Sequence, residues 1–396
     1  MTRPISGRKN YNPYNFQPEL LLEQVLNSAL SFIMIREIIS TSSISFLSDF
    51  NTLVVTCYGV VTLLRLFLQR AISIGVLNAK KVLKNIFESI LVKVGCGFAA
   101  LILAVTVNHI SYTSTVLLVV SILAMDFVRY FYLFTGRIGA TLASHVIVVL
   151  FALIWSVWPA ELFWQPEKVM LIWILLNLIY TIFTLILGLT IKYKSPKDLF
   201  VDRVFNANFR LILAESATIQ FLQTALSVGL LLFVPEANAA SRIGAQVFLS
   251  IPNTLIAATA PFLALYVSRG LISYHYRFYL MLMQFSFFLI PLILILLPDI
   301  FLDTFSGSAN RYYLIYQIGF IATGMSFFVI SSFSYGYIQL LGSRKYLIYK
   351  LSLISSATLI PFLCLVFSGI LLFNIVALLN LCVFIATTKI YINKRI

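Results

Sequence analysis

Long apolar runs, separated by short polar or charged segments, fill most of this chain. A helix that crosses a bilayer needs about 20 mostly apolar residues, and its backbone groups must pair within the helix because lipid offers them no partners. The runs are continuously apolar, whereas the strands of a membrane β-barrel alternate over about 10 residues. The pattern therefore predicts an all-α polytopic membrane protein with about twelve transmembrane helices.

The predicted spans follow one another along the whole chain. They centre near Ser28, Tyr58, Ala99, Ile122, Val149 and Ile179 in the first half, and near Thr224, Leu255, Phe287, Thr323, Leu359 and Leu381 in the second. Only the pair Ser368 and Gly369 separates the last two apolar runs. If these runs formed one span, the C-terminus would lie on the other side of the membrane.

A polar segment, KYKSPKDLFVDRVFNANFR, divides the chain into two halves. Its Ser195, Pro196 and Asp198 match the signals that open a helix, which predicts a short amphipathic helix on the membrane surface. The predicted organisation is a tail at 1–18, an N-lobe at 19–191, an amphipathic linker at 192–209, a C-lobe at 210–392 and a tail at 393–396.

Composition and charge agree with this class. Hydrophobic residues are 60% of the chain and charged residues 11%, too few to cover a soluble domain of 396 residues. The net charge is +14, and most Lys and Arg residues fall in alternate loops, which predicts an even number of crossings with both ends in the cytoplasm. Because these charges are spread over separate segments, they suit anionic lipid head groups rather than nucleic acid.

Residues that carry catalysis are sparse. His109, His145 and His275 lie far apart with no metal-ligand spacing, the four Cys residues stand singly in apolar runs, and no glycine-rich phosphate loop is present. We therefore expect no metal, no cofactor and no enzymatic activity, and a transport process driven by an ion gradient, the membrane potential or the substrate gradient. A membrane enzyme of glycan assembly, such as a polymerase or acyltransferase, remains the alternative of another class.

Two predicted spans carry polar residues at helical spacing. The first span has Glu23, Gln24, Asn27 and Ser31, and the seventh has Glu215, Gln220, Gln223 and Ser227. Polar side chains avoid lipid, so both stripes should face the bundle interior or a hydrated cavity and contribute to a substrate pathway. The alternative is that amides such as Asn27, Gln220 and Gln223 only hold helices together.

Two cations lie within apolar runs, Arg65 in TCYGVVTLLRLFLQ and Lys93 in IFESILVKVGCGF. Burying a cation in a bilayer costs a few kcal/mol, which demands a partner, water or an anionic substrate. Both are therefore candidates for substrate contact. Alternatively, Arg65 reaches the inner head groups along its own helix, and Lys93 reaches the inner surface or pairs with Glu88.

Two further sets of charges suggest local ion pairs. Arg36 is a candidate for the substrate pathway near the end of the first span, but it also adjoins Glu37 and could pair with it. Asp126 and Arg129 are three residues apart, the spacing of neighbours on one helix face. We expect these two residues to pair with each other.

Prolines mark possible hinges. Pro252 and Pro261 both lie in the eighth predicted span. Each removes a helix hydrogen bond and permits a bend, although proline is also simply tolerated in membrane helices.

The segments EQVLNSALSFIMIREIIS and FLSDFNTLVV resemble the opening of polysaccharide and lipid-linked oligosaccharide flippases of the multidrug/oligosaccharidyl-lipid/polysaccharide exporter superfamily. The matching positions are Glu23-Gln24, Arg36 and Asp49-Phe50, whereas Asn51 stands where the family often has Gly. The segment PEANAASRIGAQVFLSIPNTLIAATAPFLALYVSRG is similar to the eighth helix of the family, with Gly244, Pro252 and Pro261 at the characteristic places.

The resemblance implies two six-helix lobes that form a V around a central cavity and rock between inward-open and outward-open forms. It implies a flippase that carries a polyprenyl-diphosphate-linked oligosaccharide, such as an O-antigen repeat unit, across the bacterial inner membrane. Membrane lipids, H⁺ or Na⁺ as a coupling ion and other polysaccharide-assembly proteins are the expected partners. The alternative within transport is an ion-coupled small-molecule or drug exporter, in which Glu23 and Glu215 would carry the ion.

Overall fold

The computed structural model describes the helical parts of both halves of the chain. The described residues are 18–73, 79–89, 92–93, 95–97, 99–100, 108–135, 137–157, 165–190, 203–244, 322–323 and 344–393. Pro252, Pro261 and residues 192–202 of the predicted linker lie outside them. The predicted hinges and the predicted surface helix therefore remain predictions.

Ten helices of ten residues or more occupy the described part of the chain. They are α1 Pro18–Thr41, α2 Ile44–Ser73, α3 Ala79–Glu88, α4 Tyr112–Phe134, α5 Ile138–Val157, α6 Pro166–Thr190, α7 Arg203–Phe233, α8 Pro235–Gly244, α9 Arg344–Ser368 and α10 Ile370–Asn393. Each predicted span centre that the structure describes lies in a helical segment. Helix α7 begins at Arg203, seven residues before the predicted start of the C-lobe.

Five of the described helices contain a stretch long and apolar enough to cross a membrane. These stretches are Ile44–Leu68, Tyr112–Leu133, Ile138–Val157, Pro166–Thr190 and Leu213–Phe233. Apolar side chains on α5 and α6, such as Phe151, Ile154 and Ile182, point away from the protein, as lipid-facing residues do. The chain is thus an all-α multi-pass membrane protein. Helix α1 is less apolar than these five because its inward face carries charge.

In the first half, α1, α2, α4, α5 and α6 form one bundle. Helix α4 packs on α6, α1 on α5, and α2 on α4. The core residues, among them Met34, Ile38 and Leu53, are buried. Close packing also uses a glycine: a Cβ atom at Gly188 of α6 would lie 2.3 Å from the Tyr132 ring of α4.

The two halves meet along α2. This helix packs against both α7 and α8, and α7 also packs against α9. Gly59 of α2 faces Gln220 of α7, and a Cβ atom at Gly59 would lie 3.7 Å from the Gln220 side chain, an ordinary contact distance. At the last turns of α2, the Phe67 ring lies 5.6 Å from the Phe209 ring of α7, and the Arg70 guanidinium lies 4.3 Å from the same ring.

The last two apolar runs are separate helices. They are joined by Gly369, whose φ of 87° is in the left-handed region that favours glycine. Helices α9 and α10 pack side by side and bury Leu365, Phe373 and Ala377 between them and their neighbours.

Candidate functional site

A chain of charged residues crosses the interior of the first half. We call Glu23 of α1, Arg65 of α2, Asp126 and Arg129 of α4, and His145 of α5 the charge cluster. The polar stripe on α1 places Glu23 toward the bundle, as its spacing predicts, and α4 passes beside it with two charged residues one turn apart. Four helices therefore contribute to one site.

Glu23 and Arg129 form the centre of the charge cluster. Arg129 Nε donates to Glu23 Oε1 at 2.6 Å, and Arg129 Nη2 donates to Glu23 Oε2 at 2.9 Å. Both side chains are excluded from solvent, with exposed fractions of 1% for Arg129 and 0% for Glu23. Two parallel charge-assisted bonds satisfy both carboxylate oxygens, which is the arrangement that makes a buried ion pair tolerable.

His145 and Tyr180 cover the Glu23 carboxylate from α5 and α6. His145 Nδ1 lies 3.1 Å from Glu23 Oε1, and the imidazole is fully buried. The Tyr180 ring stacks at a tilt on the imidazole, with centroids 4.3 Å apart. Among the described residues, neither ring nitrogen of His145 has a partner with hydrogen-bond geometry, so the 3.1 Å approach to Glu23 is an electrostatic contact.

Arg65 and Asp126 complete the charge cluster. Arg65 Nη2 donates to Asp126 Oδ1 at 2.8 Å, and Arg129 Nη1 lies 3.7 Å from the same oxygen. The Tyr130 ring lies 4.3 Å from the Arg65 guanidinium and 4.9 Å from that of Arg129. Two carboxylates thus balance two guanidinium groups, and Arg65, with 31% of its side chain exposed, is the open end of the chain.

These contacts meet one expectation and decide against one alternative. Asp126 and Arg129 form the expected ion pair at 3.7 Å, and each also has a closer partner on another helix. Arg65 pairs with Asp126 rather than extending along its own helix to the head groups. The spacing within α4 shows that Asp126 and Arg129 are neighbours. It cannot show their closer partners, Arg65 and Glu23, which tertiary packing brings in from other helices.

The remaining predicted cations lie apart from the charge cluster. The Lys93 side chain is exposed, and Glu88 instead lies 3.7 Å from Lys84, one turn away. Arg36 Nη1 donates to Glu37 Oε1 at 3.1 Å, which confirms the local pair. Of the other polar residues on α1, Gln24 is buried and Asn27 is partly exposed, with its backbone carbonyl accepting from Ser31 Oγ.

The polar stripe of α7 lies on the other half. Glu215 is buried, whereas Gln220 and Gln223 are partly exposed. Gln220 faces α2 at Gly59, so this part of the stripe is directed toward the junction between the halves.

Tyr58 of α2 connects the charge cluster with the second half. The Ser31 side chain lies close to its hydroxyl, and Arg65, Asp126 and Arg242 are near enough to act on it electrostatically. Arg242 belongs to α8 and is buried. One guanidinium from each half therefore lies in the surroundings of Tyr58.

Asp49, a position of the family resemblance, holds a loop. Its Oδ2 accepts hydrogen bonds from the backbone N–H groups of Asn108 and His109 at 2.8 and 2.7 Å, and the His109 Nδ1 atom lies 2.9 Å away. Just beyond, Ser111 caps α4. Asp49 thus fixes the segment that leads into the helix of Asp126 and Arg129.

A second buried polar region joins the two halves. We call Ser48, Asn51 and Thr52 of α2, Ser227 of α7, and Asn238 and Ser241 of α8 the inter-half network. Asn51 Nδ2 donates to Asn238 Oδ1 at 2.7 Å, to Ser241 Oγ at 3.1 Å and, more weakly, to Ser227 Oγ at 3.4 Å. Asn238 Nδ2 donates to the Ser48 carbonyl at 2.9 Å and to Thr52 Oγ1 at 3.0 Å.

The orientation of the Asn238 amide is set by its surroundings. The Ser48 carbonyl can only accept, so the amide nitrogen must face it. The amide oxygen then accepts from Asn51 and from Ser227 Oγ at 3.1 Å, while Ser227 and Thr52 hydroxyls lie 3.1 Å apart. The network is neutral, buried and internally paired.

Sequence reasoning missed His145 of the charge cluster and Asn238 of the inter-half network. His145 is a lone histidine in an apolar run, and nothing in its neighbourhood along the chain indicates Glu23. Asn238 lies in a short polar stretch that resembles a loop. The sequence contains one signal for the inter-half network. Asn51 stands where the family often has Gly, so an amide is present at a position where the resemblance predicts no side chain.

Within the described residues, no group of three or more His, Cys, Asp or Glu side chains could hold a metal ion, and all four Cys residues are free.

Comparison with known proteins gives one structural neighbour for the fold. The crystal structure of a MATE transporter in complex with MaD3S is similar over 97% of both chains, with a TM-score of 0.53 and 12% sequence identity. No protein-family model matches the chain, and no curated protein matches it. The chain therefore has the MATE transporter fold, the fold class of its structural neighbour.

Proposed function

We propose that this protein is a transporter that exports its substrate by alternating access between its two halves, and that the substrate is a lipid-linked oligosaccharide with a diphosphate head group. The observation that carries the proposal is the position of Arg65, a partly exposed guanidinium in the interior of a MATE-like bundle. The resemblance of α1 and α2 to oligosaccharide flippases supports the substrate class.

Arg65 retains hydrogen-bonding capacity beyond its ion pair. Asp126 takes one bond from Nη2, the Nε atom is buried, and 31% of the side chain remains exposed for further contacts. A guanidinium has five N–H donors and binds phosphate oxygens in a two-pronged geometry. A diphosphate that reached Tyr58 would lie near one guanidinium from each half, Arg65 and Arg242.

The small-molecule exporter is the second candidate, and the buried pair of Glu23 and His145 favours it. The two side chains are 3.1 Å apart and excluded from solvent. A carboxylate and an imidazole in contact can bind and release a proton, so the pair forms a proton-binding site inside the first half. In this candidate function, the proton gradient drives efflux and the substrate is not a lipid.

Reconstituted protein separates the two functions. Proteoliposomes are supplied either with a fluorescent polyprenyl-diphosphate oligosaccharide or with a small cationic dye under an imposed pH gradient. We expect translocation of the lipid-linked sugar, and we expect Arg65→Gln to reduce it about tenfold or more because a charge-assisted hydrogen bond worth about 1.5–3 kcal/mol is lost.

The control is Lys84→Gln, which removes one positive charge from an exposed surface pair and should leave translocation unchanged. Dye efflux coupled to the pH gradient, without movement of the lipid-linked sugar, would establish the small-molecule exporter instead.

A further inference from the structure

Helix α3 lies at one end of the bundle, at the level where two membrane-spanning stretches stop. Ile86 of α3 is buried against Leu68 of α2, and Phe127 and Phe131 near the end of α4 pack on the same cluster. Leu68 is the last residue of the apolar stretch of α2, and the apolar stretch of α4 ends at Leu133. Helix α3 is therefore placed where the hydrocarbon of a bilayer meets the head groups.

Helix α3 has the length and the sequence of a helix that lies within this boundary. Its ten residues span about 15 Å, which is half of what a crossing requires. The sequence AKKVLKNIFE brings basic and apolar residues to different faces at helical spacing. Ile86 is buried, whereas Lys81, Lys84 and Asn85 are exposed. Helix α3 thus has one side inside the protein and a basic side outside it.

Each of the three buried residues of this small cluster has an exposed basic residue within two positions along the chain. The pairs are Leu68 with Arg70, Ile86 with Lys84, and Val92 with Lys93. We call Arg70, Lys81, Lys84 and Lys93 the basic patch. Glu88 lies 3.7 Å from Lys84 and is the only acidic residue in the sequence between positions 68 and 93. The four positive charges of the patch therefore outweigh the single negative charge beside them.

We propose that the basic patch binds anionic phospholipids of the surrounding membrane, with α3 lying flat in the head-group region. The proposal goes beyond transport, because it concerns the lipid around the protein and not its substrate. Ammonium and guanidinium groups complement the phosphate oxygens of an anionic head group, while the acyl chains stay in the bilayer. One basic residue beside an anionic membrane surface raises the affinity about fivefold.

Another cation at the same end of the bundle shows a different use of charge. Arg137 precedes α5, and its Nη1 atom donates to the carbonyl of Gly188 in the last turn of α6. Its guanidinium also lies 5.6 Å from the Tyr132 ring. Arg137 thus satisfies a carbonyl at a helix end. Lys84 and Lys93, in contrast, extend from the outside of the protein, where head groups can reach them.

Quenching by spin-labelled lipids tests the patch in the full-length protein. In a background in which the four Cys residues are replaced, a fluorophore is attached to Asn85→Cys on the exposed side of α3. The protein is reconstituted in phosphatidylcholine nanodiscs that contain a small fraction of phosphatidylglycerol or phosphatidylcholine with a nitroxide near the head group. We expect phosphatidylglycerol to be preferred at residue 85 by about tenfold or more.

The test variant combines Lys84→Gln with Lys93→Gln. Removal of two charges should lower the preference for phosphatidylglycerol about fivefold or more, because Gln cannot attract a phosphate by charge. The variant Lys84→Arg with Lys93→Arg keeps both charges and should keep the parent preference. This pair of variants separates the effect of charge from that of the Lys side chains themselves.

The matched control removes two charges from the opposite end of the bundle. Arg36 lies near the end of α1 and Lys168 near the start of α6, and both side chains reach solvent. Arg36→Gln with Lys168→Gln should leave the preference at residue 85 unchanged. A fluorophore at Tyr112→Cys, an exposed position where α4 begins, should show no response to the Lys84 and Lys93 variants.

Three results would overturn the proposed lipid site. They are equal quenching by the two lipids at residue 85 of the parent protein, an unchanged preference after Lys84→Gln with Lys93→Gln, and an equal loss in the control with Arg36→Gln and Lys168→Gln. The last result would mean that the total charge of the protein, rather than the basic patch, attracts the lipid. No substrate is present in the measurement, so its result does not depend on what the protein transports.

Discussion

The charge cluster and the inter-half network are both buried and polar, but they differ in charge and in location. The cluster is ionic and joins helices of a single half, with Arg129 held by both oxygens of Glu23. The network is neutral and joins α2 to α7 and α8 of the other half. Of these two regions, the ionic one therefore lies within a half and the neutral one lies between the halves.

This difference indicates which contacts are permanent. Separating a buried ion pair leaves two desolvated charges, whereas amides and hydroxyls regain hydrogen bonds from water at a small net cost. The charge cluster therefore ties α1, α2, α4 and α5 into one unit that moves together. The network consists of contacts that can break and re-form without leaving charges unpaired in the interior.

Removing the arginine at the centre of the cluster should have the largest effect. Arg129→Ala leaves the Glu23 carboxylate buried without its guanidinium, and loss of one partner of a buried pair costs about 3–5 kcal/mol. We expect a large drop in the thermal unfolding midpoint of the protein in detergent. The double variant Glu23→Gln with Arg129→Gln removes both charges and should be more stable than Arg129→Ala. Equal midpoints for the two variants would show that charge pairing does not stabilise this unit.

A charge placed in the network should have an intermediate and pH-dependent effect. Asn238→Asp directs a carboxylate oxygen at the Ser48 carbonyl, so two acceptors face each other where the amide now donates at 2.9 Å. We expect a loss of about 1–3 kcal/mol near pH 8, because a buried group is left without its bond. Near pH 5 part of the loss should be recovered, since a protonated carboxyl can donate to the carbonyl. Unfolding midpoints at the two pH values check this, and greater stability at the higher pH would contradict it.

The exposed pair on α1 should have the smallest effect. Arg36 and Glu37 are 3.1 Å apart, but their side chains are 40% and 21% exposed. Solvent and salt weaken such pairs, so Glu37→Gln should change stability by less than about 1 kcal/mol. The measurement is the same unfolding midpoint at low and high salt. A loss comparable with that of Arg129→Ala would mean that burial does not explain the contrast between strong and weak polar contacts.

The sequence is sufficient for the class of fold and for many of the helices. Apolar length and continuity predicted the crossings, and the midpoints of the described helices α2, α4, α5 and α6 lie within about two residues of the predicted span centres, because each crossing needs its own continuous apolar run. The inward stripe on α1 was predicted from spacing, and Glu23 is indeed buried. Both inferences depend on local periodicity, which a single sequence contains.

Partners across helices could not be predicted in the same way. Arg129 and Glu23 are 106 residues apart, and Asn51 and Asn238 are 187 apart. Nothing in the local pattern around Asp126 shows that Arg65 of α2 will be closer to it than Arg129 of its own helix. These pairings are decided by the order in which helices pack, and the spacing within one helix contains no information about that order.

The single-residue connection at Gly369 has a consequence for biosynthesis. With only one residue between α9 and α10, no polar loop separates the two apolar segments as they leave the ribosome. The two helices must therefore enter the bilayer together, as one hairpin. The turn at Gly369 then crosses the lipid interior once, while α9 and α10 are in contact with each other. A residue with a Cβ atom at this position would disfavour the tight reversal and would impair insertion of both segments together.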